Sequence, residues 1–458
     1  MSAAPAAARV LAVLFAGVLM GALDIAIVGP ALPAIRDAFG VDPRRLSWVF
    51  SAYILFYLLG APLLAKLSDA RGRRDVYVLG IALFGLGSIA VAAAPSFELL
   101  LAGRALQAFG AGGTLPIASA VVAETIPLER RGRALGLIGA VFGVAFAIGP
   151  VLGGLLLPFG WQWLFLVNVP LAAAVIAGGW RTLPQRRSPG PLRFDAKGAA
   201  ALAAALAAMV WGIGRIDPAV PGGGIARADV GLALLAAVLA ALVFWRIERR
   251  APEPLLHPDL LGSAQLRLVG AIAFAVGLVE AGLVFLPEIA VRGLGTEPAR
   301  ASFMLLPLVG TLIVGAPAAG WLLDRRGAPL VVRLGLALTA TGLAAFALLP
   351  LTIASFYGAG VLIGLGLSGL LGAPLRYLTL QHAGEHRKGA GQGMLTLFLS
   401  SGQLFGAAAI GAAGAGAAGG YRSGLLVFGA LIGLALVAST GLAAPPRPAA
   451  NEATRPAP

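Results

Sequence analysis

Long apolar runs separated by short polar loops recur along the whole chain and set the architecture that the sequence predicts. A run of about 20 apolar residues is long enough to cross the hydrocarbon core of a bilayer as an α-helix. Fourteen such runs lie at residues 9–35, 46–66, 75–95, 97–123, 133–157, 162–181, 195–215, 227–246, 265–288, 298–322, 328–349, 352–376, 388–414 and 422–444. The sequence therefore predicts an all-α polytopic membrane protein with fourteen transmembrane helices.

The composition and the placement of charge agree with a membrane protein. Hydrophobic residues make up 59% of the chain and charged residues 12%, which is about half the charged share of soluble domains. The net charge of +14 does not indicate nucleic-acid binding, because the basic loops lack interleaved aromatic residues. Lys and Arg instead concentrate in alternate loops such as 66–74 and 128–133, which the positive-inside rule places in the cytoplasm. We expect a multi-pass protein of the plasma or inner membrane with both termini cytoplasmic.

Two loops carry the same short pattern in the first and second parts of the chain. "LSDARG" at 67–72 and "LLDRRG" at 322–327 each place Leu, then Asp two residues later, then Gly three further. We expect two six-helix bundles related by a pseudo-twofold repeat, joined by a linker region with two extra helices and followed by a disordered cytoplasmic tail. The bounds of these four regions are 1–183, 184–262, 263–445 and 446–458. Parallel repeats of this kind are a known plan of secondary transporters, in which the substrate site lies where the halves meet.

Three ionisable residues stand out deep inside apolar runs, where a charge costs about 2.5–3.5 kcal/mol on insertion scales. They are Asp24 in the first run, Arg104 in the fourth and Glu280 in the ninth. Glu280 has no ready partner in the sequence, and an unpaired carboxyl in low dielectric takes up a proton readily. We therefore predict proton coupling at Glu280 with Asp24 as its partner site, while a buried structural pair of Asp24 and Arg104 is the alternative. Glu288, nearer the outer end of the ninth run, is expected to be wetted by solvent.

Polar side chains within the runs are the candidates for a substrate cavity. Groups that form hydrogen bonds inside an apolar environment need partners, so these side chains either line a cavity or bond neighbouring helices. The predicted cavity set is Asp24, Gln107, Asn168, Glu280 and Gln403.

Five segments, in order along the chain, resemble the motifs of the major facilitator superfamily, specifically its fourteen-helix drug:proton antiporter branch. They are "LDIAIVGPALP" (23–33), "LSDARGRR" (67–74), "GRALQAFGAG" (103–112), "GVAFAIGPVLGG" (143–154) and "WQWLFLVNVP" (161–170). The match departs from the usual residues of the branch at Ala26, Ala70, Ala108 and Gln162. The resemblance covers nearly the whole chain.

The resemblance implies roles for residues of two charged loops and of the membrane interior. The loops would latch the two halves in an outward-open state, and the implied gating residues are Asp69, Gly72, Arg73, Arg74, Asp324 and Arg325. The resemblance also implies that Asp24 and Arg104 lie close together, and we include Arg104 with Glu280 and Asp24 in the predicted proton-coupling set.

The segment of the fifth run also matches the antiporter motif of the branch, at Gly143, Gly149, Pro150, Gly153 and Gly154. Small residues recur along this run in steps of three and four and share one helical face, which lets another helix approach closely. Ordinary close packing explains this stripe as well as a special role does. Its link to antiport comes from the resemblance alone.

The resemblance implies a proton-coupled transporter, acting as a monomer without cofactor or metal, that exports apolar or cationic drugs and toxic compounds by alternating access. An exporter of a metabolite, sugar or lipid is the alternative. A distant one is a membrane zinc enzyme, because "HAGEH" at 382–386 satisfies the pattern H-x-x-E-H. Gly384 and the loop position of this segment disfavour the helix that such a site needs. A sensor or receptor would require a larger soluble domain than any loop provides, so we expect a transporter and not an enzyme.

Overall fold

The computed structural model describes residues 3–443 except 127, 186–194, 217–223, 225–226, 385–386 and 417–419, and gives only the backbone of residues 3–7, 123, 128–140 and 142. The regular structure of the described residues is helical. Its helices are α1 (Ala3–Phe39), α2 (Pro43–Arg71), α3 (Arg73–Ala92), α4 (Phe97–Gly112), α5 (Thr114–Thr125), α6 (Leu128–Leu156), α7 (Gln162–Leu166), α8 (Asn168–Thr182), α9 (Ala196–Gly214), α10 (Ala228–Glu248), α11 (Ala264–Val284), α12 (Leu286–Leu294), α13 (Pro298–Phe303), α14 (Leu306–Arg326), α15 (Ala328–Leu348), α16 (Ile353–Leu370), α17 (Ala373–His382), α18 (Lys388–Ala415) and α19 (Gly420–Ala438). Short 3-10 turns occupy Leu157–Phe159, Pro258–Gly262 and Ser439–Gly441.

Thirteen helical segments among the described residues are long and apolar enough to cross a membrane, and Gly143–Phe159 is a shorter apolar helix. The prediction of an all-α polytopic protein is therefore confirmed. The shorter segment consists of the second part of α6 and the 3-10 turn that follows it, and α6 overlaps the predicted run 133–157. The fourteenth span and the pseudo-twofold repeat stay predictions.

Several predicted runs are divided by breaks in the helix, and the structure corrects their bounds. The run 265–288 consists of α11, which ends at Val284, and of α12, which carries Pro287 in its first turn. Pro lacks the N–H that an inner turn needs, so it begins a new helix more readily than it continues one. The run 352–376 divides in the same way before Pro374. Predicted tail residues 446–458 lie outside the described residues.

The membrane-spanning helices form two groups with a pair of helices between them. We name α1–α8 the N-terminal half and α11–α19 the C-terminal half. The pair α9 and α10 packs together, and α9 also contacts α2 of one half and α18 of the other. An apolar cluster that includes Phe244, Leu260 and Met394 fastens the end of α10 to the C-terminal half. The predicted domain boundaries stay predictions.

The two halves meet mainly at the end that the charge pattern predicts to be outside. There α1 packs on α12 and α13, α6 packs on α13 and α14, and α2 packs on α18. A Cβ added to Gly411 would lie 2.7 Å from Ser47 Cβ, so the backbones of α18 and α2 almost touch. At the opposite end, the main packing partners of α5 and α17 belong to their own halves. The structure is therefore closed at the predicted outer end.

Candidate functional site

An ion pair between Asp24 of α1 and Arg104 of α4 lies inside the N-terminal half. Arg104 Nη1 is 2.5 Å from Asp24 Oδ2, and both side chains are fully buried. Arg104 Nε also donates to the carbonyl of Val49 at 3.2 Å. The guanidinium lies 4.3 Å from the ring centroid of Tyr53 and 5.6 Å from that of Phe165. Both rings supply favourable electrostatic contacts to the cation in this desolvated environment.

Amide side chains complete the shell of Asp24. Gln107 Nε2 donates to Asp24 Oδ1 at 2.6 Å and to Ser88 Oγ at 2.8 Å. Asn168 Nδ2 lies 3.4 Å from the same Asp24 oxygen. Gln107 follows Arg104 by three residues and therefore shares its helical face, and Gln107 Oε1 accepts from Arg104 Nη1 at 2.7 Å. Both carboxylate oxygens of Asp24 are thus hydrogen-bonded.

The close approach of α3 and α4 makes this network possible. A Cβ added to Gly87 of α3 would lie 2.4 Å from the backbone nitrogen of Gln107. Only a residue without a side chain fits there, and the resulting contact places Ser88 beside the Gln107 amide. Sequence reasoning missed Ser88 and Tyr53, since no motif or charge marks them.

The polar network has no solvent-exposed surface in this conformation. Asp24, Gln107 and Asn168 are all fully buried. The structure brings Asp24 and Arg104 together, as the resemblance implied, and it shows them as a hydrogen-bonded structural unit. Their roles in proton coupling and in a substrate cavity stay predictions.

Glu280 lies in the other half, near the end of α11, and the structure supplies a partner for it. Gln403 Nε2 of α18 donates to Glu280 Oε2 at 3.0 Å. The helices touch closely here, because a Cβ on Gly277 would lie 2.0 Å from the carbonyl oxygen of Leu399. The expectation that Glu280 has no partner is therefore corrected: it has a neutral one. Within the described residues, Glu280 forms no ion pair, and its side chain is partly exposed.

The prediction that solvent wets Glu288 is wrong. This residue lies in the first turn of α12, is fully buried and forms an ion pair with Arg36 of α1. The expectation was wrong because α12 packs directly on α1, which covers the carboxylate from the outside. Arg36 escaped sequence reasoning because it stands at a helix end, where basic residues are common.

The charged residues at the junction of α2 and α3 interact within their own half. Arg73 Nη1 is 2.5 Å from Asp69 Oδ1, and Arg73 Nε is 3.0 Å from Glu124 Oε1. Arg74 lies 4.9 Å from the ring of Trp180. Gly72 between the helices has φ of +112°, a region that favours glycine.

The second charged loop is exposed. Asp324 and Arg325 face solvent, and the Arg325 guanidinium lies 4.2 Å from the ring of Trp321. Within the described residues, no ion pair joins the two loops to each other, and the latch in an outward-open state stays a prediction.

The small residues of α6 differ in their surroundings. A Cβ on Gly149 would lie 2.6 Å from Ala26 Cβ, and one on Gly153 would lie 2.5 Å from Pro30 Cβ. A Cβ on Gly154 would lie 2.2 Å from the ring of Phe303, across the boundary between the halves. Pro150 is buried, whereas Gly143 has open space around it. The outer part of the motif is therefore a contact surface, and its role in antiport stays a prediction.

The candidate zinc segment receives no support from the part of the chain that the structure describes. Its His382 Nδ1 lies 2.8 Å from the carbonyl oxygen of Leu378, while Glu385 and His386 fall outside the described residues. Among the residues that were placed, no group of three His, Cys, Asp or Glu side chains is arranged to hold a metal ion.

Membrane-length helices in two groups, with buried charges inside, are typical of helical membrane transporters. The chain belongs to the Major Facilitator Superfamily, which matches residues 14–407.

Curated relatives include transporters named for drug resistance. The MFS-type transporter YfiU of Bacillus subtilis is 35% identical over 83% of this chain and 74% of its own length. The tetracenomycin C resistance and export protein of Streptomyces glaucescens is 32% identical over 77% of this chain and 66% of its own. The multidrug resistance protein Stp of Mycobacterium tuberculosis is 30% identical over 86% and 73%. The chain thus spans about two thirds to three quarters of these relatives.

Solved structures agree on the fold. The nucleoside transporter NupG superposes with a TM-score of 0.66 over 95% of this chain and 99% of its own, at 12% identity. Such a likeness shows the fold alone.

Proposed function

We propose that this protein is a fourteen-helix drug:proton antiporter that exports apolar or cationic compounds from the cytoplasm. The names of two relatives, a tetracenomycin C export protein and a multidrug resistance protein, support the class of cargo. The observation that carries the coupling is Glu280, a carboxylate within a membrane-spanning helix that has one neutral hydrogen-bond partner. We further propose a monomer in the plasma or inner membrane with cytoplasmic termini.

Glu280 is a better proton acceptor than Asp24 on the grounds of their partners. Asp24 is held by the Arg104 guanidinium and two amides, which together stabilise its ionised form. Glu280 has only Gln403, which can accompany either protonation state by rotating its amide. Proton uptake by Glu280 removes the charge that attracts a cationic substrate, so one site serves both ligands in turn.

The cycle follows from alternating access. We assign this structure, which is closed at the predicted outer end, to the inward-facing state that collects substrate from the cytoplasm. After reorientation, a proton from outside neutralises Glu280 and releases the substrate. Return to the inward-facing state delivers the proton to the cytoplasm.

Everted vesicles with an imposed pH gradient test this proposal. Cationic dyes and drugs should dissipate the gradient in vesicles that contain the wild-type protein. E280Q should abolish gradient-driven transport and weaken the binding of cationic compounds, because the amide resembles the protonated carboxyl and cannot take up or release a proton. E297Q is the matched control, since Glu297 is an exposed acid at the start of α13.

Two results would contradict the proposal. Unchanged transport by E280Q would remove the assigned role of Glu280. A substrate panel in which a neutral metabolite, sugar or lipid dissipates the gradient, and no cation does, would favour the alternative exporter.

A further inference from the structure

One buried ion pair joins the two halves at the predicted outer end. Arg36 lies in the last turn of α1, and Glu288 lies in the first turn of α12. Arg36 Nη1 donates to Glu288 Oε1. The Glu288 side chain is 0% exposed, and that of Arg36 is 20% exposed. The partners are 252 residues apart in the chain, so the pair is a contact between halves and not a local helix feature.

Glu288 depends on Arg36 more than Arg36 depends on Glu288. Arg36 also donates to Asp37 Oδ1, from Nε at 2.9 Å and from Nη2 at 2.7 Å. The second oxygen of Glu288 is buried and has no hydrogen-bond partner. The arginine of α12, Arg292, is bound elsewhere: it donates to the carbonyl of Gly414 at 3.3 Å. Its guanidinium lies 5.8 Å from the Tyr421 ring.

The surrounding contacts place this pair in the surface along which the halves meet. A Cβ on Gly29 of α1 would lie 2.8 Å from the carbonyl oxygen of Val284, just before α12. One on Gly153 of α6 would lie 3.0 Å from Ser302 Oγ of α13. This close fit excludes water from Glu288, and it has to come apart if the outer end opens.

We propose that Arg36 and Glu288 form the outer gate of the transporter, an ion pair that holds the inward-facing state closed and breaks in every cycle. This inference rests on the proposed alternating-access export. Opening wets the carboxylate, so its full solvation compensates for the lost contact. In the closed state, a missing partner leaves a charge buried and uncompensated, which favours opening.

Distance measurements between the outer ends of the halves test the gate. The natural chain has no cysteine, so spin labels can be attached at F159C in the N-terminal half and A354C in the C-terminal half, both exposed positions. Double electron–electron resonance on the labelled protein in lipid nanodiscs should show mainly the short distance. R36Q should raise the ratio of the long-distance to the short-distance population by at least about tenfold. E288Q should raise it less, because Asp37 still accompanies Arg36.

Two further variants make the outcome specific. The double variant R36Q/E288Q should return toward the wild-type distribution, because two amides can bond and neither half buries a lone charge. E98Q is the matched control: it removes the acid of the Arg45–Glu98 pair, which lies at the same end but within the N-terminal half. It should leave the distances unchanged.

Wild-type distances in both R36Q and E288Q, or an equal shift in E98Q, would overturn the gate. The measurement needs neither substrate nor proton gradient. Absence of cation transport in vesicles would therefore refute the proposed function while the distance shifts still reported on the gate. If R36Q alone fails to fold, E288Q and the double variant decide.

Discussion

Arg104 shows how one side chain satisfies several buried groups. Its guanidinium binds Asp24, the Gln107 amide and the carbonyl of Val49, while Tyr53 covers one face. Removing one partner of a buried pair leaves the other as an uncompensated charge. Asp24 therefore has a structural function that is independent of any part in proton coupling.

Replacing Arg104 tests this at the residue scale. R104Q should lower the free energy of unfolding in detergent by about 3–5 kcal/mol, because Asp24 remains buried without its cation. R104K should restore only part of the lost free energy of unfolding, since an ammonium lacks the planar fork of donors. The double variant D24N/R104Q should be more stable than R104Q alone. Equal stabilities of R104Q and the wild type would refute the structural role.

The glycines of helix α6 allow other helices to pack closely against it. Its outer part, at Gly149, Gly153 and Gly154, lies in contact with α1 and α13. Gly143, which comes earlier in the same helix, has open space around it. One helix thus carries both a tightly packed section and a loosely surrounded one. The tight section lies on the boundary between the halves.

A pair of substitutions in α6 separates these sections. G153V should cost about 1–3 kcal/mol by overpacking and lower gradient-driven transport, because its methyl groups collide with Pro30 and Ser302. G143V is the control, and thermal unfolding in detergent should place it near the wild type. If both variants lose the same stability, the packing explanation fails.

At the scale of the whole molecule, alternating access requires that contacts at one end replace contacts at the other. The structure has outer contacts between α1, α6 and the helices α12 and α13, while Asp69 and Arg73 pair within their own half. The proposed cytoplasmic latch would form when the outer gate opens. The outer gate then stabilises the inward-facing state and the latch stabilises the outward-open state. The balance between these two contacts sets the population of each state.

Removing the latch should shift that balance toward the closed outer end. D69N should lower the long-distance population of the F159C/A354C pair by about two- to fivefold, the effect expected of a charge near a helix terminus. Asp75, in the first turn of α3 and bonded to Arg74 and Gln185, offers the control D75N. A larger long-distance population in D69N would mean that Asp69 stabilises the inward-facing state instead.

The sequence by itself determined the architecture that depends on local composition. Apolar runs of membrane length mark the helices because the bilayer acts on each run separately. The motif residues Asp24, Arg104 and Gln107 marked a buried polar group, since charge in an apolar run is costly wherever its partner lies.

The tertiary structure decided which of these groups touch. Gln403 reaches Glu280 from 123 residues away, and Arg36 reaches Glu288 from 252. Hydropathy describes neighbours along the chain, whereas these partners are chosen by how helices pack side by side. For that reason Glu288 could be predicted as a residue of the outer end, but its burial and its partner in the other half required the fold.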